Sequence, residues 1–224
     1  MGSRIMKESW KRAGMGFLLV GAFLILLGAG LFLKNHFEDE RAKKTSEDAM
    51  ESIRRQIAEN AQARTQKAGP NGAKAESSMD GAYAETPNYP LDVNTITVDG
   101  TKYLCVLFVP EVDLQVPVSD ELTEEILKKV PCRYHGTLDQ NGFVIAGHNY
   151  KSGFGLLKKV KKGAQVLIVD AQGYVHEYVV EEIEILQPEA VEEMISGDWA
   201  LSLYTCTYGG GQRYTVRCNK VNND

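Results

Sequence analysis

Apolar and polar side chains alternate most clearly near the C-terminus, where Ala200-Leu-Ser-Leu-Tyr-Thr-Cys206 and Arg213-Tyr-Thr-Val-Arg-Cys218 flank Gly209-Gly-Gly211. Period-two alternation on both sides of a glycine-rich loop predicts a hairpin, with Cys206 closing the first arm and Arg213 opening the second. Arg217 lies about 13 Å further along the return strand at ~3.3 Å per residue, so Arg213 is the arginine within reach of the thiol. An exposed thiol beside a guanidinium is a candidate nucleophile. Read alone, the pattern fits a half-buried structural cysteine equally well.

A second apolar run, Phe143-Val-Ile-Ala146, ends abruptly at Gly147 and His148 and predicts a strand that delivers a histidine at its end. Were this strand a parallel neighbour of the one ending at Thr205, His148 and Cys206 would emerge from the same end of the sheet. That is the placement a thiol nucleophile and its proton-transfer partner require. Upstream, Thr95-Ile-Thr-Val98, the turn Asp99-Gly100 and the run from Tyr103 to Val109 predict another hairpin. A third short strand is expected over Val112 to Val116. After Ser119, the acidic Asp120 and Glu121, the apolar Leu122, Ile126 and Leu127, then Lys128, Lys129 and Pro131 predict a short helix by start and stop signals. Gln165 to Val169 and Tyr174 to Leu186 alternate around an Ala-Gln-Gly turn, and Ala190 to Ile195 reads as a second short helix. Two short helices among about eight strands predict a mainly β domain, a closed or nearly closed barrel.

The N-terminal pattern is different. Ala13 to Leu33 carries no charge and is long enough for a helix to cross the hydrocarbon core, so residues 13–33 read as a retained signal-anchor behind a short cytoplasmic segment, 1–12. Basic residues flank the span on both sides, which leaves its orientation undecided by charge. Residues 34–68 are polar and free of Pro and Gly until the end, with Met50, Ile53 and Ile57 on one side, and read as a helical stalk. Residues 69–91 are small, polar and punctuated by Gly and Pro, a linker, and 92–224 form the globular domain.

Length and charge add limits. A chain of 224 residues holds one ordinary domain plus these appendages, and a net charge of −5 gives no reason to expect nucleic acid as a partner. Of the four cysteines, Cys206 and Cys218 sit at opposite ends of the expected hairpin and should not pair. Cys105 lies in an apolar strand and Cys132 follows a helix, and the sequence leaves open whether these two are bridged. No Cys-x-x-Cys or His-x-x-x-His spacing occurs, so neither a metal nor another cofactor is expected. His36 adjoins the span, His135 reads as part of a loop with Arg133 and Tyr134, and His176 sits mid-strand; all three read as structural or solvent-facing. Glu181, Glu182 and Glu184 read as a solvated strand face in preference to a calcium site.

Val144-Ile-Ala-Gly-His-Asn149, the following Phe154-Gly-Leu156, Leu203-Tyr-Thr-Cys-Thr207 and the arginine on the next strand, in that order, resemble the sortases, membrane-anchored cysteine transpeptidases of Gram-positive bacteria. The resemblance spans roughly residues 92 to 221. It implies an eight-stranded barrel, His148, Cys206 and Arg213 as catalytic residues, and Asn149, Thr205 and Thr207 beside the substrate. It also implies a sorting signal of secreted surface proteins, Leu-Pro-x-Thr-Gly-like, as substrate, cleaved through a thioacyl intermediate. The acceptor would be an amine of a cell-wall precursor or a protein lysine, and the catalytic domain would lie outside a single-pass membrane anchor. The chain departs from the pilin-assembling branch in lacking any Asp-Pro dipeptide and a second, C-terminal span. Its Gly209-Gly-Gly211 loop is short, which predicts few substrate contacts there. Two other readings stand beside this one. An L,D-transpeptidase typically has Gly before its nucleophile and Arg two residues after, where this chain has Thr205 and Tyr208. A membrane-tethered binding module, or a degenerate sortase, would carry the same residues without activity.

Overall fold

The computed structural model describes residues 2–67 and 94–221. Helix α1 spans Gly2–Lys67. Strand β1 (Ile96–Val98) and strand β2 (Thr101–Val109) follow, then β3 (Leu114–Ser119), helix α2 (Glu124–Leu127), β4 (Cys132–His135) and β5 (Phe143–Gly147). The chain continues through β6 (Gln165–Asp170), β7 (Val175–Leu186), helix α3 (Val191–Met194), β8 (Leu201–Cys206) and β9 (Arg213–Lys220). The strands form a nine-stranded sheet in the order β1-β2-β3-β4-β5-β8-β9-β7-β6, and β6 pairs back onto β2. That pairing closes eight strands into a barrel, with β1 left over on β2. The mainly β fold expected from the pattern is therefore present, and closed.

Two units separate along the chain, Met1–Glu40 and Arg41–Asp224. The first is helical, and its side chains from Leu18 to Phe37 include many exposed large apolar ones, such as Leu19 at 67% and Phe32 at 66%. It is the one helical stretch among the described residues long and apolar enough to cross a membrane.

In the second unit, alternate strand positions fill the barrel. Leu107, Val116, Phe143, Ile145, Ile168, Tyr178, Leu201, Leu203 and Val216 belong to one buried cluster, as period-two strands with one face inward require. Outside the barrel, Ala49, Met50 and Ile53 of α1 pack with Ile96, Tyr103, Val106, Val130 and Ala171. The segment read as a stalk is helical, and from Arg41 onward it belongs to the same unit as the barrel. Its last turns meet the β6–β7 turn: Asn60 Nδ2 donates to the Ala171 carbonyl at 2.8 Å, and the Arg64 guanidinium lies 3.9 Å from the centre of the Tyr174 ring. Gly173 there has φ of +81°, and a Cβ on it would come within 3.0 Å of the Ala61 Cβ. Both facts favour glycine. The turn itself is fixed by Asp170, whose Oδ1 accepts from the backbone of Gln172 and Tyr174 and whose Oδ2 lies 3.1 Å from His176 Nε2. His176 is thus a buried structural histidine.

Some expected elements are displaced. The third strand runs over Leu114–Ser119 because Pro110–Val112 form a 3-10 turn that ends at Asp113 in the left-handed region. Helix α2 is capped by Thr123, not by Ser119. The Ser119 hydroxyl accepts from the Glu121 backbone N–H, while the Thr123 side chain caps the helix by accepting from Ile126 N–H at 3.2 Å. His135 ends a strand instead of lying in a loop, pairing with Val144. All four cysteines are free thiols, and Cys132 Sγ lies 3.4 Å from the Val130 carbonyl. Glu184, half-buried on its strand face, accepts the Arg217 Nε–H on its carboxylate at 2.6 Å. The expected linker, 69–91, and the start of the globular domain at 92 lie outside the described residues.

Candidate active site

Strand β8 turns Leu203 and Thr205 into the barrel and Ser202, Tyr204 and Cys206 outward. Its antiparallel partner β9 places Arg213 directly across from Cys206, Thr215 across from Tyr204 and Arg217 across from Ser202. On its other side β8 pairs in parallel with β5, with Gly147 opposite Thr205. His148 and Cys206 are the next residues along, so they leave neighbouring strands at the same end. The parallel pairing on which that placement depends is present.

Arg213 Nη1 lies 3.5 Å from Cys206 Sγ, 3.1 Å from the Gly210 carbonyl and 3.4 Å from that of Gln212. The loop carbonyls thus hold the guanidinium over the thiol. The loop is a closed turn: Thr207 N–H donates to the Gln212 carbonyl, Gly210 N–H to the Thr207 carbonyl, and Gln212 N–H to the Thr207 hydroxyl. Gly209 and Gly210 sit at φ of +81° and +75° in succession, which glycine alone adopts without cost. Beyond the turn, Tyr208 is 89% exposed, and its ring lies 5.0 Å from Lys158 Nζ on the 3-10 turn Phe154–Lys159.

Close packing fixes the histidine side. A Cβ on Gly147 would fall 2.6 Å from the Phe154 ring, and one on Gly155 would fall 2.5 Å from the Tyr150 carbonyl. The Phe154-Gly155 pair therefore seats directly against the strand end that carries His148. The His148 and Tyr150 rings are 5.2 Å apart.

Of the expected substrate-binding residues, Asn149 and Thr207 are half-buried beside His148 and Cys206. Thr205 is fully buried, with its side chain toward the barrel interior, so its hydroxyl is not on the surface that Cys206 faces. The Thr207 hydroxyl is engaged within its own turn.

Two aromatic residues and one arginine complete the surroundings, and the motifs did not single out their roles. Tyr204 and Tyr134 meet edge to face at 5.4 Å between ring centres. Burial pushes the Tyr204 phenol well above its ordinary range, Tyr134 adds to this, and the Arg213 guanidinium opposes it. It remains a neutral hydroxyl next to the arginine. Arg217 is buried and binds the Glu184 carboxylate, the Met194 and Glu193 carbonyls and the Ser202 hydroxyl. It ties β7, β8, β9 and α3 together and is not directed at the thiol.

The other three thiols are buried. Burial pushes Cys132 up to about 12. Burial, with Asp170 adding to it for Cys105 and Glu181 for Cys218, raises those two further. All three are inert small hydrophobes at neutral pH.

Among solved structures, the chain is similar to sortase A from Corynebacterium diphtheriae, at 24% identity and a TM-score of 0.50, over 55% of this chain and 63% of that one. It is also similar to a sortase D5 transpeptidase of Clostridium perfringens, at 20% identity and a TM-score of 0.48, over 54% of this chain and 79% of that one. Sortase C1 of Streptococcus agalactiae, in complex with MTSET, matches at 21% identity and a TM-score of 0.48, over 55% of this chain and 71% of that one. No curated protein matches. The family model of the Sortase domain matches residues 107–221, which hold strands β3 to β9 whole, together with His148, Cys206 and Arg213. The chain belongs to the sortase family.

Proposed function

We propose that the protein is a cysteine transpeptidase that cleaves a Leu-Pro-x-Thr-Gly-like sorting signal and joins the new carboxyl end to an amine. The thiolate of Cys206 attacks the scissile carbonyl carbon, and Arg213 Nη1, already beside the sulfur, donates to the developing oxyanion. The carbon–nitrogen bond breaks as His148 supplies a proton to the leaving amine, leaving a thioester on Cys206. An incoming amine then gives a proton to His148 and attacks the thioester, and the Cys206 thiolate departs as the new amide forms. The acceptor is an amine of a cell-wall precursor or of a protein lysine. Helix α1 anchors the protein by a single span, with the barrel outside the cell.

The observation that carries this reading is the contact of Arg213 Nη1 with Cys206 Sγ across one register pair. The test is the full-length protein in detergent, mixed with a quenched-fluorescent library of sorting-signal peptides and an amine, with Cys206→Ala alongside. Cleavage with an amide product, absent from the variant, is the expected result. A folded protein that forms no thioacyl adduct with any peptide would instead be a binding module.

A further inference from the structure

Helix α1 reaches the histidine as well as the barrel wall. Ala42, Ser46, Ala49, Met50, Ile53 and Ile57 recur at helical spacing, and all are buried or half-buried. From Ala49 onward that stripe covers the apolar cluster on the barrel, and Asn60 and Arg64 tie its end to the β6–β7 turn. The turn that carries Ala42 and Ser46 meets a different part of the barrel. It shares a crevice with His148, Tyr150, Ser152, Gly153 and Phe154 that leaves about 30 Å³ of free space, room for a water or two. Ala42 is only 5% exposed, so the helix backbone closes tightly there.

The stretch it meets is the one that carries the acid–base residue. Its backbone is fixed from within: the Tyr150 carbonyl accepts from Gly153 N–H at 3.1 Å and Gly155 N–H at 2.9 Å, and Phe154 seats on Gly147. Those contacts leave the rotation of the His148 and Tyr150 rings, 5.2 Å apart, to be set by what packs outside them. His148 Nε2 is buried, so the imidazole is enclosed and does not turn freely in water. We propose that Ala42 and Ser46 are positioning residues: the α1 turn that carries them holds the His148 imidazole in the orientation from which it protonates the leaving amine. This rests on the transpeptidase reading above. A misplacement of a reacting group by about 1 Å costs on the order of 100-fold in rate, so a helix that does not touch the thiol governs the reaction through its partner.

The test separates proton transfer from the rest of the reaction, in the full-length protein in detergent. The peptide cleaved fastest in the library is prepared with its amide bond and as the p-nitrophenyl ester at the same carbonyl, and acylation is followed in a single turnover with enzyme in excess. Attack by the Cys206 thiolate gives the same thioester from both. The amide nitrogen must take a proton from His148 as it leaves, whereas nitrophenolate leaves as the anion. Ala42→Leu, which adds three carbons to a wall without room for them, should slow amide acylation about tenfold or more and ester acylation less than about twofold. Ile53→Ala loosens the same helix about 16 Å further along at ~1.5 Å per residue, away from His148. It should lower the denaturation midpoint and leave the amide-to-ester ratio as it is in the unaltered protein. Ala42→Val repeats the test with a smaller wedge and takes its place where Ala42→Leu does not fold. An unchanged ratio in the folded Ala42 variant, or an equal fall in Ile53→Ala, overturns the proposal and leaves α1 a structural support. His148→Ala sets the scale: its ratio should collapse, and if it does not, or if the unaltered protein forms no thioester from either substrate, the transpeptidase reading itself is overturned, and this one with it.

Discussion

Two arginines four positions apart on β9 do different work, and single substitutions should separate them. Arg213→Ala removes the donor beside Cys206 Sγ, which in the transpeptidase reading faces the reacting carbonyl, while its other neighbours are loop carbonyls near the surface. Signal cleavage should fall on the order of 100-fold or more with the denaturation midpoint little changed. Arg217→Ala leaves the Met194 and Glu193 carbonyls and the Ser202 hydroxyl without their donor and uncouples α3 from the barrel. It should cost about 2–3 kcal/mol in urea denaturation, the scale of lost hydrogen bonds to a charged group. Equal losses of activity with equal stability would contradict this division. The thiols give a second check. With its pKa pushed to about 12, Cys132 is ionised to about one part in 10⁴ at pH 8, and Cys105 and Cys218 less still. A maleimide at pH 8 should label only Cys206 in the folded protein and all four cysteines in denaturant; labelling of a second thiol in the folded state would show that the barrel opens. Cys206 and Arg213 were legible in the sequence because alternation and loop length fix a hairpin register. The partners of Arg217 were not, since Glu184 is 33 residues away and α3 reaches it only after the sheet has closed.

The elements that carry the site are short and are held by contacts from other elements. Strand β5 delivers His148 in the right place because Phe154 packs on the bare backbone of Gly147. Gly147→Ala would push a methyl to 2.6 Å from the ring, so Phe154 or the strand end must shift. The expected result is a loss of stability of about 1–3 kcal/mol, as for overpacking, with a larger loss of activity because His148 is the next residue. Thermal melts and peptide cleavage on the same preparation test both halves; a variant with wild-type activity would mean the strand end tolerates the shift. Long strands such as β7 were readable from their own alternation. Strand β4 was not, because Cys132-Arg-Tyr-His135 has no apolar periodicity and is a strand only through β5, with one further pairing to β3. Helix α2 was readable in kind but not in place: Ser119 and Thr123 are both competent caps, and the turn engages the first of them.

At the scale of the molecule, helix α1 takes part in both units. From Leu18 to Phe37 its large apolar side chains are exposed, and from Arg41 it belongs to the same unit as the barrel. The stripe of Met50, Ile53 and Ile57 reads only as one side of a stalk, because the surface that completes it comes from residues 96 to 171, which no local window contains. Burying Met50 and Ile53, at 7% and 1% exposure, contributes about 1.5–3 kcal/mol each, and Asn60 and Arg64 add bonds to the β6–β7 turn. A fragment that begins at Arg41 should therefore be soluble and as stable as the full chain. One that begins at Asp92 leaves Ile96, Tyr103, Val106, Val130 and Ala171 uncovered, and it should lose about 3–6 kcal/mol and aggregate on warming. Equal midpoints in urea for the two fragments would mean that α1 only lies against the barrel without stabilising it.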